Sequence, residues 1–469
     1  MLFNSLQFIF FFIVVTLAYF SLPHRGRVWL LLLASCYFYA VFQPIYILIL
    51  FVTIVVDYFA GIWIAEASGN KRKWLLIISL ISNIGFLAYF KYYNFFIENI
   101  NNVYFRLGSE THLELLKILL PIGLSFHTFQ AMSYTIEVYR GNQKAEKDFS
   151  IYALYVMFYP QLVAGPIERP QNLLWQFHSS FKYDFENLKE GLMRMAWGMF
   201  KKVVIADRLS MVVDYCYDNP QNHNGLTLLV ATLFFTFQIY CDFSGYSDIA
   251  IGAARVMGFK LMENFDAPYF SKSISEFWRR WHISLSGWFR DYLYIPLGGN
   301  RVGEFRRYFN VFFVFMMSGF WHGAAWTFII WGALHGIYLV LAQIRDKYFK
   351  FSFNKVFSEN LINGFNLVFT FVLVMFTWVF FRAKGFTNSM IIFQKIFNFS
   401  NYDSIATPLN TNEMIFCWVL ILILLLKDKL MMKISTQKTP QFYLKFVGLL
   451  LLCYFLGVFS SNQFIYFQF

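Results

Sequence analysis

The sequence predicts an all-α integral membrane protein, a polytopic helical bundle of about 11 to 13 spans with re-entrant or interfacial helices besides. Three observations carry that reading. First, 58% of the 469 residues are hydrophobic and 14% are charged, against about 25% charged in an ordinary soluble domain. Second, the apolar residues arrive in unbroken runs, and a run of about 20 crosses the hydrocarbon core as a helix. Third, those runs exclude a barrel, which leaves the helix as the form that satisfies the backbone in lipid. Mean hydropathy is +0.49.

Taken in order, candidate spans lie at 2–22, 28–43, 45–65, 74–92, 114–135, 149–165, 187–206, 226–257, 308–330, 331–345, 362–382, 413–427 and 441–460. Two are suspect. Pro160 and Gly165 interrupt 149–165, and Arg194, Lys201 and Lys202 sit within 187–206; either can be re-entrant or interfacial. The first run has no basic residues before it and no small-residue cleavage site, so it reads as a retained helix rather than a signal peptide. No repeat, linker or long extramembrane stretch divides the chain, which reads as one domain over residues 1–469.

The net charge of +12 does not point to nucleic acid, because Lys and Arg gather in short segments between apolar runs, as topology requires. Arg25 and Arg27, Lys71-Arg72-Lys73, and then Arg140, Lys144 and Lys147 belong on the cytoplasmic side. That places the N-terminus outside a multi-pass chain of the cell (inner) membrane. Five cysteines are scattered without Cys-x-x-Cys spacing, so disulfides and a metal site are not expected. The sequence contains no P-loop, G-x-G-x-x-G, G-x-S-x-G or H-E-x-x-H motif, which argues against nucleotide hydrolysis, serine esterase chemistry and metalloproteolysis.

Polar residues intrude between about Tyr240 and His335. Asp242 and Asp248 lie in an otherwise apolar stretch; such carboxylates either face an internal cavity or tie helices together. The segment Glu276–Arg301 is too charged to span and too aromatic for a solvated loop, with Glu276 three and four residues before Arg279 and Arg280, a spacing that permits pairing on one helical face. Its arginines, Arg279, Arg280 and Arg290, suit either an anionic ligand or lipid headgroups. His322 sits in Ser318-Gly319-Phe320-Trp321-His322-Gly323-Ala324-Ala325-Trp326, where small neighbours allow close approach. A histidine there can move protons or simply pack. His335, near an expected helix end, is a weaker candidate. His282 reads as structural or donor-contacting, and His127 as lining a helix interface.

At these residues the chain resembles the membrane-bound O-acyltransferase family, and within it the bacterial alginate O-acetylation branch. The likeness is carried by Pro121-Ile122-Gly123-Leu124-Ser125-Phe126, Gly165-Pro166-Ile167-Glu168-Arg169-Pro170, Asp242-Phe243-Ser244-Gly245-Tyr246-Ser247-Asp248, the Trp278–Arg301 stretch, Trp321-His322-Gly323-Ala324 and the terminal Phe464-Ile465-Tyr466-Phe467-Gln468-Phe469. His127 departs from the pattern, where an aromatic such as tyrosine is expected. The resemblance implies a helical ring around a transmembrane tunnel, with His322 as the catalytic histidine at its narrow middle. His282 is then the second polar histidine, and Asp242 and Asp248 are tunnel residues. It further implies an acetyltransferase that passes acetyl from cytoplasmic acetyl-CoA to an exported polysaccharide. Arg279, Arg280 and Arg290 would bind the donor, no cofactor would be held permanently, and an extracytoplasmic partner acetyltransferase of SGNH/GDSL type would finish the transfer.

The terminal segment has two readings. It is an interfacial aromatic anchor, or it folds back so that Tyr466 takes the acyl group as an aryl ester and hands it on. Two competing functions are D-alanyl transfer to teichoic acid and proton-coupled transport or lipid flipping. The long stretch beyond His335 favours the alginate-like branch, and the missing inverted repeat argues against a transporter.

Overall fold

Apolar runs become helices almost throughout, and the helices end where proline, glycine or a polar cap stops them. The computed structural model describes residues 1–42, 44–117, 120–348, 358–398, 404–430, 439–459 and 464–465. These residues form two compact units, one of residues 1–195 with 246–262 and one of 196–245 with 263–469.

The first unit contains α1 (Leu6–Ser21), α2 (His24–Ala40), α3 (Tyr46–Glu66), α4 (Gly69–Leu87), α5 (Tyr93–Arg106), α6 (Leu124–Arg140), α7 (Phe149–Met157), α8 (Pro170–Phe177) and most of α9 (Phe185–Met199). A π-helical turn, Ala88–Tyr92, joins α4 to α5. Ser5 caps α1 by accepting the Phe8 N–H, and Asp148 caps α7. A polar knot ties three helices together. The buried Asp57 carboxylate of α3 accepts the Ser79 hydroxyl at 2.6 Å and the Asn83 amide at 2.8 and 3.0 Å, both from α4, and Ser79 contacts Thr135 of α6 at 3.1 Å. His127 of α6 meets Thr53 of α3 at 2.7 Å, at the helix interface expected for it.

The second unit holds α10 (Asp207–Asp218), most of α11 (Gly225–Val256), α12 (Ile274–Arg280), α13 (Ile283–Phe289), α14 (Glu304–His322), α15 (Trp326–Tyr348), α16 (Glu359–Arg382), α17 (Phe386–Ile396), α18 (Thr411–Lys429) and α19 (Thr439–Leu456). A π-helical turn, Phe200–Ala206, leads into α10. Asn410 and Glu413 close a reciprocal capping box on α18, which satisfies two first-turn donors. Aromatic and aliphatic side chains of α10 to α18 form one continuous core in this unit.

Among the described residues six helices are long and apolar enough to cross a membrane: Tyr46–Glu66, Gly69–Arg106, Gly225–Val256, Trp326–Tyr348, Glu359–Arg382 and Thr439–Leu456. The protein is a polytopic helical membrane protein with fewer such helices than the run count implied. Run 149–165 is helical only to Met157, and α1 has 16 residues. In run 114–135 the described residues before Leu124 are not helical, and α6 starts after Gly123 takes φ +76°. The break expected near residue 330 falls instead at Gly323–Ala325, between α14 and α15.

Candidate active site

The second unit brings His282 and His322 together, with ring centroids 6.5 Å apart. His322 is the last residue of α14 and only 3% exposed. Its ring lies 4.9 Å from that of Trp321, 5.1 Å from Trp331 of α15 and 5.4 Å from Phe381 of α16. Glycines make that approach possible. A Cβ on Gly319 would sit 2.2 Å from the Phe328 carbonyl oxygen, and one on Gly332 would sit 2.3 Å from that of Phe315. The α14–α15 hairpin is therefore closed to backbone contact by two missing methyl groups.

His282 is fully buried and caps α13 with φ +44° and ψ +55°, a left-handed conformation that strains any residue with a Cβ. A short antiparallel pairing holds it there. The Asp266 N–H donates to the Arg280 carbonyl at 2.9 Å, and the Ile283 N–H donates to the Asn264 carbonyl at 3.0 Å. Asn264 also sets the proton on the ring. Its Oδ1 accepts the Ser284 N–H at 3.3 Å and the Ser284 hydroxyl at 2.9 Å, and lies 3.0 Å from His282 Nδ1. An atom that accepts a backbone N–H is the amide oxygen, so Nδ1 must donate. Neutral His282 then carries its proton on Nδ1 and presents Nε2 as the lone pair.

His335 has the opposite arrangement. It lies inside α15 rather than near a helix end, with no exposure. Trp278 Nε1–H donates to its Nδ1 at 3.3 Å, and Nε2 faces the Thr377 hydroxyl at 3.0 Å, while that hydroxyl donates to the Val374 carbonyl. Both nitrogens are occupied, so His335 is a packing histidine that orients the tryptophan layer. In that layer Trp331 and Trp378 stack at 5.5 Å, and their indole N–H groups are buried with no acceptor among the described residues. Trp331 is thus a donor beside His322 that sequence reasoning overlooked.

The two carboxylates of α11 are paired. In the second unit Lys202 Nζ lies 2.7 Å from Asp242 and 2.8 Å from Asp207, all three side chains buried. Phe243, next to Asp242, places its ring 4.6 Å from that of His282. In the first unit Asp248 pairs with Arg194 at 2.9 Å. Arg280 pairs with Glu276 at 2.8 Å, one of the two pairings its spacing allows. Arg290 is exposed and meets Asp291 at 2.9 Å, and Arg279 is exposed on α12. Tyr466 lies outside the described residues, and no metal-binding cluster occurs among those described.

Comparison with known proteins now decides the family. The family model for "MBOAT, membrane-bound O-acyltransferase family" matches residues 147–383, which include both histidines. The chain belongs to the membrane-bound O-acyltransferase family. It is 40% identical to a probable alginate O-acetylase of Pseudomonas aeruginosa, over 86% of this chain and 76% of that one. It is also 38% identical to a peptidoglycan O-acetyltransferase of Helicobacter pylori, over 83% of this chain and 78% of the relative. A teichoic acid D-alanyltransferase of Streptococcus thermophilus is 33% identical over 48% of this chain and 58% of its own length. The protein is therefore a membrane-bound O-acyltransferase, and membrane O-acetylation of a polymer is the activity shared by its two more extensive matches.

Proposed function

We propose that this O-acyltransferase passes an acetyl group from cytoplasmic acetyl-CoA, across the cell inner membrane, toward an exported carbohydrate polymer, with the N-terminus on the outer side. The buried His282–His322 pair, 6.5 Å apart in an aromatic enclosure, is the observation that carries the reading. His322 in its neutral form takes the proton of an incoming hydroxyl as that oxygen attacks the thioester carbonyl carbon. The C–S bond then breaks, the departing sulfur receives the proton, and the products are an ester and the free CoA thiol. Exclusion of water by the surrounding rings limits hydrolysis of the thioester. The Trp331 N–H is a candidate donor to the carbonyl oxygen as charge develops on it. His282, with its proton held on Nδ1 and its lone pair on Nε2, is suited to accept a hydrogen bond from the hydroxyl and hold it in line. A tunnel through the helices would bring donor and acceptor to this pair from opposite sides.

The acceptor class rests on relatives named for alginate and for peptidoglycan, both carbohydrate polymers. D-alanyl transfer has support over a much shorter share of the chain. An extracytoplasmic acetyltransferase is the proposed partner, with Tyr466 either relaying the acetyl group to it as an aryl ester or merely anchoring the segment. His322→Ala is expected to lower acetyl transfer by about 10²–10⁴-fold, with membrane abundance and CoA affinity held. The test is release of free CoA by purified protein given labelled acetyl-CoA. Activity within a few-fold of the parent would remove His322 from the reaction.

A further inference from the structure

The buried Lys202–Asp207–Asp242 cluster does something an ion pair alone does not require. Asp242 uses Oδ1 for Lys202 and Oδ2 to accept the main-chain N–H of Ile465 at 2.8 Å. The Lys202 ammonium, already shared between Asp207 and Asp242, also lies 4.5 Å from the centre of the Phe464 ring, within the range of a desolvated cation–π contact. Phe464 and Ile465 are themselves buried. Val458, just beyond α19, and Leu456, its last residue, are held on the Phe200–Ala206 turn and on α10. The Val458 N–H donates to the Val203 carbonyl at 2.8 Å, and Arg208 donates to the Leu456 carbonyl at 2.8 Å.

We propose that the Lys202–Asp207–Asp242 triad is a docking site for a peptide segment, occupied here by Phe464–Ile465, and that seating this segment on α11 next to Phe243, whose ring packs on His282, is needed for the acetyl group to reach its acceptor. The functional half rests on the acyltransferase reading above. The recognition is of two kinds. A carboxylate oxygen reads a backbone N–H, which any residue but proline supplies, and an ammonium reads an aromatic face. Asp242 adjoins Phe243, whose ring packs on His282, so neighbouring residues of α11 serve the dock and the packing of His282. Lys202, Asp207 and Asp242 are positioning residues for the segment, not groups that touch the reacting atoms.

The test uses the full-length protein in membranes and in detergent. Ile465→Pro removes the donated N–H and Ile465→Ala keeps it; Phe464→Ala removes the ring. Expected is a loss of polymer acetylation at least about tenfold greater for proline than for alanine, the size of a lost charge-assisted hydrogen bond. Phe464→Ala should also lose transfer, and all three should keep the parent's CoA dissociation constant and thermal midpoint. A thiol placed by Ile465→Cys should react with maleimide slowly, and faster once Phe464→Ala is added, read against the five native cysteines. Equal transfer by the proline and alanine variants overturns the proposal, and so does loss of CoA affinity in parallel with transfer, which marks a purely structural contact. If the parent neither binds acetyl-CoA nor transfers acetyl, the acyltransferase reading fails. The labelling rates then still decide the dock, with fast labelling of Ile465→Cys alone overturning it.

Discussion

Asn264 governs the histidine pair without touching the reacting atoms. Its side-chain oxygen holds the proton of His282 on Nδ1, while its main-chain carbonyl, which accepts the Ile283 N–H, helps keep the residue left-handed. Asn264→Ala should therefore cost about 10- to 100-fold in kcat, the range seen when an orienting partner of a functional histidine is lost. Asn264→Asp, which retains the acceptor, should recover most of it. The check is kcat and its pH profile at matched abundance; a deficit of equal size in the alanine and aspartate variants would show that only packing is at stake. At this scale the sequence was partly legible. His322 stood out because small residues flank it in an apolar run. Asn264 carried no signal, since its role comes from a chain crossing twenty residues before Ser284. Lys202 did carry one that was read as a blemish in a span. A lysine pair within Phe200–Ala206 has to find a carboxylate, and Asp242 was in view.

The α14–α15 hairpin sets where His322 sits. Substituting Gly319 or Gly332 by alanine puts a methyl group 2.2 or 2.3 Å from a backbone oxygen of the opposing helix. The helices must part, at a cost of about 1–3 kcal/mol for overpacking of this kind. Each variant should show a lowered thermal midpoint and a loss of transfer that Gly364→Ala, with nothing near its Cβ position, does not share. Equal behaviour of the three variants would show that the hairpin is not closed by those glycines. Apolar runs located these helices, but the break was placed too late, because Ala324–Ile330 continues the apolar character across the turn. Hydropathy responds to composition, whereas the turn at Gly323–Ala325 follows from backbone geometry. The interruption of 149–165 was legible for the converse reason, as Pro160 and Gly165 are written into the run itself.

Across the whole molecule the net charge of +12 resides partly in the arginines of the Glu276–Arg301 stretch. If Arg279, Arg280 and Arg290 hold CoA phosphates, their combined replacement by glutamine should raise the CoA dissociation constant with kcat little changed. Added salt should weaken binding in the parent, as screening of exposed charges requires. Titration of CoA at two ionic strengths checks this, and an unchanged dissociation constant in the triple variant would leave them as lipid-facing or structural groups. The polytopic helical class followed from composition alone, but the number of spanning helices did not, because an apolar run does not reveal whether it faces lipid or protein. Of the apolar window in Gly225–Val256, 83% is inside the protein, against 17% for Gly69–Arg106 and 11% for Thr439–Leu456. The first is a core helix in membrane length. Its two carboxylates also bear on how the protein is made. Arg194 is synthesised before its partner Asp248, and Lys202 before Asp242, the later of its two carboxylate partners. Each charge alone costs about 2.5–3.5 kcal/mol at the centre of an inserting helix. Biogenesis therefore favours holding residues 185–206 at the edge of the bilayer until α11 emerges, then admitting the two together with Arg194 and Lys202 paired to its carboxylates. An isolated α11 would be a poor insertion substrate beside one that carries its basic predecessor.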